Sequence, residues 1–162
     1  TVESRLSNET GPLAAAMNDE LILDEFLPYR LARLSSKIST TIARAYDKEF
    51  GLSIPEWRVI AILGRFPGLS AVEVAEHTFL DKVAVSRAVT KLIKAGRIDR
   101  QFADADRRRS ILNLSEAGRD VHDRVAKLAL DFERDLISGL SEDDVTDLNR
   151  LMDRLLERAS DL

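Results

Sequence analysis

Basic and hydroxyl-bearing side chains share one side of the stretch at residues 81–96, DKVAVSRAVTKLIKAG. These side chains belong to Lys82, Ser86, Arg87, Thr90 and Lys91. Apolar residues recur at helical spacing on the other side, namely Val85, Val89, Leu92 and Ile93. A helix with one apolar and one basic face suits the major groove of DNA, where such groups meet base edges and phosphates. The stretch therefore predicts a DNA-contacting helix that Asp81 caps and Gly96 ends.

A second basic cluster, ADADRRR at residues 103–109, lies between two β-like runs at residues 98–102 and 111–114. Because the first run alternates in residue type, a hairpin is the simplest interpretation. We expect Arg107, Arg108 and Arg109 to protrude at its tip and enter a narrow, negative minor groove. Asp106, two residues before Arg108, would orient that guanidinium. The alternative is a solvated loop.

A short helix should precede the basic one, because Ser70 and Glu73 have the spacing of a capping box. We expect its apolar side to carry Val72, Ala75 and Phe79. A further capping box, SIPE at residues 53–56, should start the helix before it. The order of helices followed by a hairpin predicts a winged helix-turn-helix over residues 53–115.

The charge of the chain is distributed unevenly. Residues 81–110 hold nine basic and four acidic residues, whereas the whole chain has a net charge of −4. Because charges more than ~8 Å apart are largely screened at physiological salt, phosphates would respond to this local basic patch rather than to the total.

The composition excludes several kinds of chemistry. The chain has no cysteine, which removes disulfides, thiolate metal sites and thiol redox sensing. Its two histidines, His77 and His122, fall in separate predicted helices, so we expect no metal site, no cofactor and no catalytic residue. Without a phosphate-cradling glycine loop or a metal-ligand cluster, an enzyme is not expected. A cytoplasmic protein is expected, since the sequence has neither a membrane-length apolar run nor a signal-like N-terminus.

Long helices are predicted on both sides of the central module. Residues 19–52 and 116–162 carry apolar stripes, and we treat 19–162 as one domain that follows a flexible arm at residues 1–18. The stripes exceed what the central module can cover, so we expect a second copy to bury them in a two-fold dimer. The two DNA-contacting helices would then meet major grooves ~34–36 Å apart, at a pseudo-palindromic site. The alternative is a bundle of these helices within one chain.

The segments DKVAVSRAVTKLIKAG and DADRRRSILNLSEAG resemble the multiple-antibiotic-resistance repressor (MarR) family of winged-helix regulators. The flanking IPEWRVIAIL and LPYRLARLSSKIS are similar to it as well, and the likeness extends over residues 26–158. Its more specific parts are the Asp-x-Arg of Asp106 and Arg108, and LSEAG at residues 114–118. Many members have Ser-Thr where this chain has Val83 and Ala84. Hydrogen-bond readout is lost there, although either residue could contact a thymine methyl group.

The resemblance implies a mainly α fold with a small β-hairpin, in which N- and C-terminal dimerisation helices flank the winged helix-turn-helix. It also implies a homodimeric repressor that binds double-stranded DNA. A small aromatic or anionic ligand would relieve the repression. The candidate ligand-binding residues are Arg33, Trp57 and Arg58, and a purely structural role is the alternative for each. An architectural or protein-interaction module without ligand response is the alternative function.

Overall fold

Serine and aspartate residues set the beginnings of most helices, as the sequence predicts. The computed structural model describes residues 20–103 and 106–162, and the side chains of all of these except 103 and 106–109. In Ser53 and Glu56 the capping box is complete, with the Ser53 N–H donating to Glu56 Oε2 at 2.8 Å. Asp81 caps its helix by accepting the Ala84 N–H at 2.8 Å. Satisfying these otherwise unpaired amides fixes where each helix starts.

The fold is mainly α-helical with one two-stranded hairpin. The elements are α1 (Leu27–Phe50), α2 (Ile54–Arg65), α3 (Ala71–Thr78), α4 (Lys82–Lys94), β1 (Ile98–Ala103), β2 (Asp106–Leu114), α5 (Glu116–Ile137) and α6 (Glu142–Ser160). The chain divides into two compact units, one ending at Thr41 and the other running over Ile42–Leu162. The arm predicted at residues 1–18 lies outside the described residues.

A hydrophobic core in the second unit holds α2, α3 and α4 against the hairpin and α5. Its fully buried members include Val59, Ile60, Leu63, Val74, Val85, Val89, Leu92, Ile98, Leu112 and Val125. The predicted apolar faces of α2 and α4 are confirmed, because Val59, Ile60 and Leu63 of α2 and Val85, Val89 and Leu92 of α4 are buried there.

The predicted apolar face of α3 is partly wrong. Ala75 is buried, but Val72 is 52% exposed and Phe79 is 93% exposed, while Val74 takes the core position instead. Because α3 ends at Thr78, Phe79 does not continue its helical spacing. Phe79 adopts a left-handed conformation with φ +54°, which is uncommon for a residue other than glycine.

The antiparallel hairpin is confirmed, but β2 begins at Asp106 rather than at the predicted residue 111. Ser110 pairs with Phe102 and Asp106 pairs with Ala103, so the register shifts between the two pairs. The backbone of residues 107–109 therefore belongs to a strand irregularity and not to the connecting loop. A run of three arginines lacks the alternation that marks a strand, which is why the sequence did not indicate this start.

Arg97 joins the base of the hairpin to the ends of two helices. Its guanidinium donates from Nη2 to the Phe50 carbonyl at 2.8 Å, and its own carbonyl accepts the Ser115 N–H at 3.1 Å. Ser115 Oγ donates to the Gly96 carbonyl at 2.6 Å and also accepts the Gly118 N–H. A Cβ atom at Gly118 would overlap the Arg97 carbonyl, so the final glycine of the LSEAG segment permits this close approach.

Candidate nucleic-acid interface

Helix α4 presents a polar face opposite its buried face. That polar face, as defined here, consists of Lys82, Ser86, Arg87, Thr90 and Lys91, all of which are exposed. Ser86 and Thr90 are four residues apart, and so are Arg87 and Lys91, which places each pair one turn apart along the helix. The structure therefore brings the five predicted α4 residues onto one accessible surface.

The hydroxyl group of Thr90 is already engaged within the helix. Its Oγ1 donates to the carbonyl oxygen of Ser86 at 2.9 Å. This bond uses the only hydroxyl hydrogen, and leaves oxygen lone pairs and the methyl group for other contacts. Thr90 is therefore an acceptor or an apolar contact on the polar face, not a donor.

A carboxylate that sequence reasoning missed lies beside this face. The side chain of Glu56 is only 8% exposed, and its Oε1 lies 3.7 Å from Nζ of Lys91. The two residues border a cleft of about 260 Å³ between the start of α2 and the side of α4. The cleft is lined by Ser53, Pro55, Glu56, Ala84, Arg87, Ala88 and Lys91. Glu56 thus offsets part of the positive charge of the polar face and holds the Lys91 ammonium near α2.

The wing, which is the hairpin of β1 and β2, contributes only partly to the described interface. The side chains of Asp106, Arg107, Arg108 and Arg109, all predicted to act at the minor groove, lie outside the described residues. On β1, Arg100 is exposed and Phe102 is 59% exposed. Arg100 is a basic residue that the sequence analysis counted in the charge but did not assign to the site. Its position in β1, in the same hairpin as the arginine-rich segment, could have indicated its place at the interface.

The three candidate ligand-binding residues occupy different settings. Arg33 is an exposed residue of the first unit, where its Nη1 lies 3.7 Å from Oδ1 of Asp24. Trp57 and Arg58 are half-buried neighbours in α2 of the second unit. The Trp57 ring packs between two other rings, with centroids 6.0 Å from Tyr46 and 6.1 Å from His122. Trp57 therefore packs against aromatic rings, and ligand binding by Trp57 stays a prediction.

Tyr46 is the buried phenol of this aromatic cluster. Burial raises the pKa of Tyr46 above its usual value, while the positive charge of Arg58 acts in the opposite direction. The phenol is therefore neutral at physiological pH, and the Arg58 charge is close enough to act on it.

The histidines pack against aromatic rings. His77 stacks on Phe66 with ring centroids 4.8 Å apart, and His122 places Nδ1 2.8 Å from Oδ1 of Asp123. Within residues 20–103 and 106–162, no group of three histidine, aspartate or glutamate side chains is placed to hold a metal ion. In the same part of the chain, no helix is both long and apolar enough to cross a membrane.

Comparison with known proteins agrees with this geometry. The model of the MarR family matches residues 50–109, which include α2 to the middle of β2. The chain is 25% identical over 136 residues to the HTH-type transcriptional repressor IacR of Pseudomonas putida, covering 84% of this chain and 81% of that protein. It is 29% identical over 126 residues to the HTH-type transcriptional regulator PecS of Dickeya dadantii, covering 74% and 76% of the two chains.

The solved structures show the same fold over nearly the whole chain. A MarR/EmrR family transcriptional regulator from Acinetobacter sp. ADP1 superposes with a TM-score of 0.78 at 26% identity, covering 88% of this chain and all of that one. The matched proteins are transcriptional regulators rather than enzymes. Together with the exposed polar face of α4, these findings support a DNA-binding transcriptional regulator built on a winged helix-turn-helix, similar to the regulators of the MarR family.

Proposed function

We propose that the protein is a homodimeric repressor that binds a pseudo-palindromic operator and is released from it by a small aromatic anion. The observation that carries the DNA-binding part is the exposed polar face of α4, opposite four buried residues of the same helix. In such a complex the face enters the major groove, and Arg87 is the candidate for a bidentate base contact. Lys82 and Lys91 contact phosphates, Ser86 contacts a base or a phosphate, and Thr90 contacts a base as an acceptor or through its methyl group.

The wing completes the proposed contact with DNA. Arg107, Arg108 and Arg109 grip the minor groove beside the site, and Asp106 orients Arg108. The exposed guanidinium of Arg100 on β1 adds to the positive charge there. We assign residues 53–115 to this DNA-binding lobe and residues 19–52 and 116–162 to dimerisation.

The exposed apolar residues of α6 support self-association. They are Leu148, Leu151, Met152, Leu155 and Leu156, each at least 44% exposed in a single chain. An apolar stripe of this length is unfavourable in water, and a second copy of the same stripe can cover it. A dimer places two α4 helices on one DNA duplex, as a pseudo-palindrome requires. Such a repressor acts in the cytoplasm, where chromosomal DNA is.

The proposed effector site includes Trp57 and Arg58 of the second unit, and Arg33 of the first unit is a separate candidate. The half-buried ring of Trp57, packed beside buried Tyr46 on which the Arg58 charge acts, has the chemistry that binds an aromatic carboxylate. A ligand can release the operator only if it binds the DNA-free arrangement more tightly than the DNA-bound one. Benzoate is a suitable probe, and the proposal requires that it weaken operator binding more than acetate does at equal concentration.

Selection of bound fragments from a random pool of duplex DNA, with purified protein at physiological salt, tests the main proposal. We expect an inverted repeat with half-sites about one helical turn apart, bound ~10³-fold or more tightly than random DNA. Recovery of no preferred sequence would favour an architectural or protein-interaction module instead. Sedimentation equilibrium of the free protein tests the dimer separately.

Three substitutions assign the contacts on the selected site. Arg87→Ala should weaken operator binding by ~1–3 kcal/mol if it makes a bidentate base contact, with a smaller effect on random DNA. Arg108→Ala should weaken binding to both kinds of DNA through lost minor-groove contact. Lys127→Ala, at an exposed lysine of α5 outside the winged helix, is the control and should leave both affinities unchanged. Unaltered binding by Arg108→Ala would rule out the wing contact.

A further inference from the structure

Val83 is an exposed apolar residue on the polar face of α4. It is the second residue of the helix, and 58% of its surface is exposed. Ser86, Arg87 and Thr90 follow it by three, four and seven residues, which is the spacing of one helix face. Val83 therefore lies on the same strip as three of the residues assigned to DNA contact.

The stability of α4 does not explain a valine here. A β-branched residue loses side-chain freedom in a helix, so alanine or lysine would favour α4 more at an exposed position. The helix start is fixed by Asp81, which accepts the N–H of Ala84 and not of Val83. An exposed valine on a polar strip thus points to a contact outside the described chain.

The neighbouring Ala84 occupies a different setting. It is half-buried and lines the cleft toward α2, together with Pro55 and Glu56. Of the two apolar residues at positions 83 and 84, only Val83 is therefore free to meet a groove surface. The Thr90 methyl group extends the apolar character of the strip, because the Thr90 hydroxyl donates to its own helix.

We propose that Val83 determines operator specificity by packing against the C5-methyl group of a thymine in each half-site. The inference rests on the proposed function, in which the polar face of α4 enters the major groove. Thymine is the base that presents a methyl group there. Cytosine presents an N4 amino donor at the neighbouring position, and a valine would cover that donor without accepting its hydrogen bond.

Replacement of single thymines by deoxyuridine in the selected operator tests this contact, because uracil lacks only the methyl group. When the contacted thymine is replaced in one half-site, we expect the affinity of the wild-type protein to fall about fourfold. This corresponds to the loss of one buried methyl group. The loss should reach about fifteenfold when both half-sites carry the change. Val83→Ala should bind the thymine and uracil duplexes equally.

The control variant is Val72→Ala, because Val72 is a similarly exposed valine on α3. It should keep both the wild-type affinity and the wild-type thymine sensitivity. Far-UV circular dichroism and thermal unfolding check that both variants are folded. If Val83→Ala keeps the wild-type ratio between its affinities for the thymine and uracil duplexes, the proposed methyl contact is refuted.

The result separates this inference from the function on which it rests. One outcome refutes only the role of Val83. In it, the protein selects an operator and loses affinity on Arg87→Ala, but it binds every uracil duplex as tightly as the unmodified operator. A protein that selects no site refutes the proposed repressor function and the Val83 contact with it.

Discussion

Substitution of Gly118 by alanine should destabilise the protein even though alanine is the better helix former. Gly118 is buried in the first turn of α5, and an added Cβ atom would overlap the carbonyl oxygen of Arg97. It would also lie 2.9 Å from the carbonyl carbon of Arg97, whereas carbon atoms pack favourably at about 3.5–4.0 Å. The start of α5 and the base of β1 must therefore move apart.

The magnitude follows from three contributions. Overpacking a filled site costs ~1–3 kcal/mol. The displacement also breaks the hydrogen bond from the Ser115 N–H to the Arg97 carbonyl, at a cost of about 1 kcal/mol. The helix propensity of alanine returns about 1 kcal/mol. We expect a net decrease of about 2 kcal/mol in the free energy of unfolding.

Urea unfolding at one fixed protein concentration measures this decrease, since the stability of an oligomer depends on concentration. Gly139→Ala is the matched control, because a Cβ at Gly139 would have nothing within 4 Å and its φ is not left-handed. That variant should be unchanged or slightly more stable. A Gly118→Ala protein as stable as wild type would refute the close-approach argument.

Three further predictions concern a cap, an ion pair and a buried phenol. Asp81→Ala should lower the free energy of unfolding by about 1 kcal/mol through loss of the α4 cap, whereas Asp81→Asn, which can still accept the Ala84 N–H, should stay close to wild type in urea unfolding. Glu56→Gln should raise DNA affinity in low salt, because it removes a negative charge beside Lys91, and the difference from wild type should shrink as salt is added. An affinity equal to that of wild type at every salt concentration would contradict this. The pKa of Tyr46 is raised in the folded state, so the unfolded state ionises first and stability falls as pH increases above about 10. In Tyr46→Phe the fall in stability, measured by urea unfolding between about pH 9 and pH 11, should be smaller, and an identical fall would exclude Tyr46 as its cause.

Local interactions made the helix starts predictable. The boxes of Ser53 with Glu56 and Ser70 with Glu73 join residues three apart, so the sequence alone contains both partners. The polar face of α4 was predictable for a related reason. One amphipathic period determines both which side of the helix enters the core and which side is left for DNA.

Features that depend on distant residues were not predictable. Glu56 and Lys91 are far apart in sequence, and the core positions of the helices that carry them had to be known before their contact could be inferred. Helix α3 has only eight residues, or about two turns, so its apolar residues are compatible with more than one buried face. Packing against α2 and α4 selected Val74 over Val72.

The arginine segment shows a third limit. The sequence predicted its flanking strands from their apolar residues but assigned residues 106–109 to the loop, because charged residues carry little strand signal. Pairing of Ala103 with Asp106 extends the strand, and that pairing is determined by the partner strand rather than by the segment itself.

The outward position of the α6 side chains has a consequence for the lifetime of the protein in a cell. None of the nineteen residues of α6, all of which the structure describes, is buried in a single chain. Local opening free energy follows the amount of buried contact, so α6 would unfold easily in a copy that has no partner. Cellular proteases remove chains that open in this way, whereas a partner covering α6 would protect it. Degradation would then adjust the supply of the regulator to the copies that have paired, and leave few single chains to compete for half of an operator.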